Sequence, residues 1–163
     1  MLPLRDDIPS QRYPVVTVSL IALNVAAFLW ELGLGPHLQD ALLMWGLVPV
    51  RYTVGDVAAL FSWREQLTPF LSSMFLHGGW THLLGNVWTL WIFGDNVEDR
   101  LGRLRFLVFY LCGGVAAALL HVFTNANSAV PTIGASGAIA AVMGGYRREP
   151  IGGRACVPLH DAQ

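Results

Sequence analysis

Four side chains raise the chemical question. Ser136 stands in an apolar run of small residues, "PTIGASGAIAAVMGGY", from Pro131 to Tyr146. His77, His82 and Asn86 stand in "HGGWTHLLGN". A serine attacks a carbonyl only with a base to take its proton and donors to hold the oxyanion. Two imidazoles and an amide suit the second task. His82 and Asn86 are four residues apart and share one helix face. His77 lies five residues before His82, near the mouth of that helix. A blander chemistry competes. A serine in an apolar helix bonds back to its own helix and lets a neighbour approach closely. A His–Asn face makes interhelical hydrogen bonds worth about 0.6 kcal/mol per pair.

The elements that must position these groups can be read from the surrounding residues. Pro131 and Gly134 disfavour a helix interior, so the helix carrying Ser136 becomes regular near that residue. Unpaired N–H groups at a helix N-terminus would then lie beside the hydroxyl. Gly137, Ala140, Ala141 and Gly144 recur at three- and four-residue spacing and give a smooth face for close packing. The G-x-S-x-G nucleophile elbow is excluded, because it needs a strand before the turn and no strand signal precedes Ser136.

The 163 residues fit one domain. Only 13% are charged, against about 25% in a soluble domain. The mean hydropathy is +0.50. Both values point to a membrane. Four apolar runs define expected spans at about 15–34, 78–97, 104–123 and 132–146, within a transmembrane unit of residues 14–146. A ~30 Å hydrocarbon core needs about 20 helical residues. Residues 36–77 read as a long loop with short helical pieces, with Trp45, Tyr52 and Trp63 at headgroup level. Residues 1–13 read as a cytoplasmic segment that is not a signal peptide. Residues 147–163 read as an atypical polar tail.

Charge gives the orientation. With the N-terminus inside, eight arginines (Arg5, Arg12, Arg100, Arg103, Arg105, Arg147, Arg148 and Arg154) fall on the cytoplasmic side. Only Arg51 and Arg64 fall opposite, in accord with the positive-inside rule. The expected location is a membrane crossed several times, with the N-terminus in the cytoplasm. No basic run suits nucleic acid. Cys112 and Cys156 form neither a metal-ligand spacing nor a disulfide framework. No metal or cofactor is expected. The lack of an acidic residue suited to ion coupling within a span argues against a transporter.

The motifs "HGGWTHLLGN" and "GASGA", in this order and in these spans, resemble the rhomboid intramembrane serine proteases. "GDNVEDRLG", with Glu98, Arg100 and Gly102, is similar to the family's E-x-R-x-x-G element, with the glycine one residue sooner. The resemblance covers about residues 10–146. It implies an all-α, polytopic membrane helix bundle, of which about four of six core spans are present. It implies an endopeptidase that cleaves membrane-anchored proteins at or near their transmembrane segment, with a Ser–His dyad. Ser136 would then be the nucleophile. His82, Asn86 and the Ser136 N–H would hold the oxyanion. His77, Gly134 and Gly137 would support the site, and Glu98 and Arg100 would be structural, anchoring the loop after the second span.

The resemblance also implies a histidine base in a later span, within an A-H-x-x-G-like run. His37 lies in a loop, His121 reads as a packing or interfacial residue, and His160 has no apolar span around it. The expectation is a truncated or frame-shifted copy without its base, in preference to a short relative that lost catalysis. The alternative function is a non-catalytic module that binds single-span partners in the same groove.

Overall fold

A computed structural model describes residues 12–146. Nine α-helices carry these residues: α1 Val15–Gly33, α2 Leu38–Trp45, α3 Val50–Thr53, α4 Gly55–Ala58, α5 Trp63–Leu67, α6 Pro69–Ser72, α7 Trp80–Leu101, α8 Arg103–Thr124 and α9 Ser136–Gly145. Among the described residues there is no sheet, only an isolated antiparallel bridge between Leu47 and Thr132. The chain is an all-α bundle built from α1, α7, α8 and α9.

Leu20, Leu90, Phe106, Tyr110, Ile139 and Val142 meet in the bundle core. The outward faces are apolar too, with Leu29, Trp91 and Phe123 exposed. A helix apolar all round is suited to lipid. Glycines set the helix spacing. A methyl group on Gly137 would come 2.5 Å from the Ala117 side chain, and one on Gly113 would collide with Ala141. Thus α8 and α9 pack almost backbone to backbone.

Of the four expected spans, two correspond to helices, α1 and α8, that are long and apolar enough to cross a membrane by length and composition. The other two differ for specific reasons. α7 has 22 residues, but His82 and Asn86 sit in its first half and Asp95, Glu98, Asp99 and Arg100 in its last turns. α9 has only ten residues. It starts at Ser136 and not at 132, because Gly134 adopts a φ of +115° and Thr132 pairs with Leu47. The expected segment 1–13 lies mostly outside the described residues, and the tail 147–163 lies wholly outside them.

The bundle has two distinct ends. The N-termini of α1 and α8 and the C-termini of α7 and α9 share one. Glu98, near the end of α7, accepts hydrogen bonds from the Val16 and Thr17 N–H groups at 2.9 and 2.8 Å and from the Thr17 hydroxyl at 2.9 Å. This carboxylate fills the role of an N-cap for α1, whose own cap residue is Pro14. Glu98 and Arg100 therefore lie inside a helix and not in a loop after it, and only Gly102 separates α7 from α8. The exposed Arg12, Arg100, Arg103 and Arg105 belong to this end.

Residues 35–79 frame the other end. Arg51 is buried and donates to the Leu43 and Met44 carbonyls at 3.1 Å and to the Glu65 carbonyl at 3.0 Å. Its guanidinium lies 3.9 Å from the Phe61 ring centroid. One arginine thus satisfies the carbonyl end of α2 and ties α2, α3 and α5 together. This segment carries short helical pieces, α2 to α6, several of them tied together by Arg51.

Candidate functional site

Ser136 is exposed and is the first residue of α9, so the free N–H groups of the first turn lie beside its hydroxyl. Gly134 gives the approach its shape. A φ of +115° favours glycine. A Cβ there would also lie 2.5 Å from His82 Cε1 and Nε2 and 3.6 Å from Asn86 Nδ2. The His82 ring therefore rests on the Gly134 backbone, with the Asn86 amide next to it. The spacing within α7 turns both side chains toward the turn before Ser136.

Hydrogen bonds define the donors. The Gly78 N–H faces His82 Nδ1 at 3.4 Å, which makes Nδ1 an acceptor and leaves the ring proton on Nε2. Nε2 lies on the edge of the ring next to Gly134. Asn86 is only 8% exposed, yet its Nδ2 is buried without a hydrogen-bond partner. A buried orphan donor costs about 1–3 kcal/mol, and such groups collect at functional sites.

His77 supports this pair from behind. Its backbone N–H donates to Glu31 Oε1 at 3.0 Å and Oε2 at 3.2 Å. Its Nδ1–H donates to the Phe75 carbonyl at 3.0 Å. The ring meets His82 edge to face, with centroids 5.2 Å apart. Burial is the largest influence on it and, with His82 alongside, pushes the His77 imidazole down to about 4, so the ring is neutral at pH 7. Glu31 was missed in the sequence, where it reads only as the first charge after an apolar run.

A cavity of about 180 Å³ opens beside Ser136, lined by Met74, Ala117, His121, Thr132 and Gly137 among others. His121 is more than a packing residue, since its Nε2 lies 2.6 Å from Thr132 Oγ1. Asn125 Nδ2–H faces His121 Nδ1 at 3.3 Å. Its two ring nitrogens are thus engaged by Asn125 and Thr132 rather than by Ser136. His37, in the short 3₁₀ turn before α2, lies outside the site. His160 lies outside the described residues. No group of three or more His, Cys, Asp or Glu among the described residues could hold a metal.

The fold and the site together define a membrane helix bundle that brings an exposed serine, a histidine and an asparagine to one end of its helices. The family model described as "Rhomboid domain" matches residues 64–150, just over half of the chain. The chain is 34% identical over 134 residues to the rhomboid protein YdcA of Bacillus subtilis, covering 82% of this chain and 61% of YdcA. It is 38% identical over 127 residues to the mitochondrial presenilin-associated rhomboid-like protein A of Danio rerio, covering 76% of this chain and 30% of that protein. It is 45% identical over 75 residues to rhomboid-like protease 5 of Toxoplasma gondii, covering 44% and 8%. The chain belongs to the rhomboid family. It spans about three fifths of YdcA and less than a third of the mitochondrial relative.

Proposed function

We propose that this chain carries the nucleophile and oxyanion hole of an intramembrane serine endopeptidase that acts on membrane-anchored proteins. The observation that carries this reading is the buried, unpartnered Asn86 Nδ2 beside His82 Nε2, both against Gly134, two residues before the exposed Ser136. In this mechanism Ser136 Oγ adds to the scissile carbonyl and its proton passes to a base. His82 Nε2–H, Asn86 Nδ2–H and the Ser136 N–H hold the oxyanion. Collapse of the intermediate releases the amine, and water then hydrolyses the acyl-serine. Gly134 and Gly137 leave room for the His82 ring and for α8. Glu98 and Arg100 serve the fold.

By the family likeness the base is a histidine of a later span, and no histidine among the described residues takes that role. Residues 12–146 alone are therefore expected to bind but not to turn over, since a serine without its base is a weak nucleophile at neutral pH. The arginine-rich end faces the cytoplasm of a bacterial inner membrane, and the Ser136 end faces outward. A fluorophosphonate probe applied to the protein in its native membranes should label Ser136, and Ser136→Ala should abolish labelling. Labelling that persists in Ser136→Ala sinks the assignment.

A second reading, a non-catalytic module that holds single-span proteins, is favoured by the open face of α9. Ser136, Ala140, Met143 and Gly144 are all exposed on it. Cross-linking of a single-span partner in native membranes where wild-type Ser136 takes no probe would select this reading.

A further inference from the structure

We propose that His121 is a positioning residue, whose imidazole fixes the turn that presents Gly134 and Ser136. The consequence for reactivity rests on the function proposed above, whereas the structural clamp does not.

The ten residues between α8 and α9 before Ala135 include no helix, so neighbouring groups must satisfy their backbone. The frame supplies much of this. Leu47 and Thr132 exchange two backbone hydrogen bonds, of 3.0 and 2.8 Å. The Val50 N–H donates to the Ser128 carbonyl at 3.1 Å, and the Gly134 N–H to the Ser73 carbonyl at 2.7 Å. All of these come from one side, residues 47–73. The bundle grips the same turn through His121, in the last turn of α8, whose Nε2 shares a hydrogen bond of 2.6 Å with Thr132 Oγ1.

The geometry makes this more than a tie. Thr132 is held at its backbone by Leu47 and at its side chain by His121, and a β-branched residue has few rotamers with which to yield. An Asn125 Nδ2–H on Nδ1, 3.3 Å away, would leave the ring proton on Nε2, the tautomer that donates to Thr132. Thr132 is two residues before Gly134, whose backbone must stay against His82. His121, Thr132, Gly134 and Ser136 all line the same cavity. Release of the threonine would let the turn drift and carry the Ser136 N–H away from the Asn86 and His82 donors.

The test uses the whole protein in detergent micelles, with amide hydrogen exchange, ¹⁵N imidazole shifts and Ser136 probe labelling. Thr132→Val keeps the shape and removes the acceptor. It should speed amide exchange at 132–137 about tenfold, the factor expected for one lost hydrogen bond, with α1 unchanged. His121→Phe should do the same and His121→Gln should restore slow exchange. The double variant Thr132→Val/His121→Phe should exceed neither single one. The wild-type His121 ring should carry its proton on Nε2. Wild-type exchange rates in Thr132→Val, or a proton on Nδ1, would overturn the clamp even where His121→Phe fails to fold. Faster exchange with Ser136 labelling at the wild-type rate would overturn the positioning role. A wild-type protein that takes no probe contradicts the proposed function instead, and the exchange data then decide the clamp alone.

Discussion

Two glutamates, one at each end of the bundle, are both 3% exposed and both accept backbone N–H groups. Glu98 takes three donors, two N–H groups and a hydroxyl, at the N-terminus of α1, where the helix dipole favours its charge. Glu31 spends both oxygens on the single N–H of His77. The difference extends to their surroundings. The orphan donor of Asn86 and the unpartnered His77 Nε2 both lie on the Glu31 side. At the arginine-rich end the Glu98 carboxylate is fully paired and serves stability. The Ser136 end keeps polar groups unpaired and uses frame contacts to hold them.

If that contrast is right, Glu98→Leu should be the most damaging change. It strands three buried donors and should cost about 3–5 kcal/mol, the range for breaking a buried charged pairing. Thermal unfolding in micelles should show this, and Glu31→Leu should lose less than half as much. Equal losses would erase the distinction between the ends.

Gly134→Ala should come next. An alanine must hold a φ of +115° and push aside the His82 ring, a strain of about 1–3 kcal/mol. Its effect on the site should exceed its effect on stability. Probe labelling at Ser136 should vanish while most of the protein stays folded at 25 °C. Gly113→Ala, between α8 and α9 and away from the site, should cost about 1–3 kcal/mol by overpacking and reduce labelling only in proportion to the unfolded fraction.

The last effect concerns pH. The folded protein holds His77 neutral down to about 4, whereas an unfolded histidine takes its proton near 6.5. Below 6.5 the unfolded state binds the proton that the folded state refuses, so stability falls with pH and the loss levels off near 4. Above 6.5 the group contributes no slope. His77→Gln should flatten the melting temperature between pH 6.5 and 4 relative to wild type. An unchanged slope would remove His77 as its cause.

The all-α class and the Ser136, His82 and Asn86 constellation were legible, because apolar runs and i, i+4 spacing act locally. The sequence did not reveal the partners that act across the fold. Glu98 reads as an anchor for the loop that follows the second span, yet it caps a helix 81 residues away. Arg51 reads as a loop charge, yet it is buried against three carbonyls, because a planar guanidinium can close a helix end that no nearby residue caps. His121 sits among leucine and valine in sequence, and only the turn of the chain at 126–134 brings Thr132 to it. Hydropathy alone marks α1 and α8 as spans, because α7 carries His82 and Asn86 in its first half and four charged residues in its last turns.

The central claim is that Asn86 is kept unpaired for the oxyanion of Ser136. The phosphonylation rate of Ser136 in Asn86→Leu, measured together with the melting temperature, tests it most directly. Removal of an orphan donor should leave the melting temperature unchanged or raised, and removal of an oxyanion donor should slow labelling about 10²–10³-fold. Labelling at the wild-type rate in a folded Asn86→Leu protein would contradict the account.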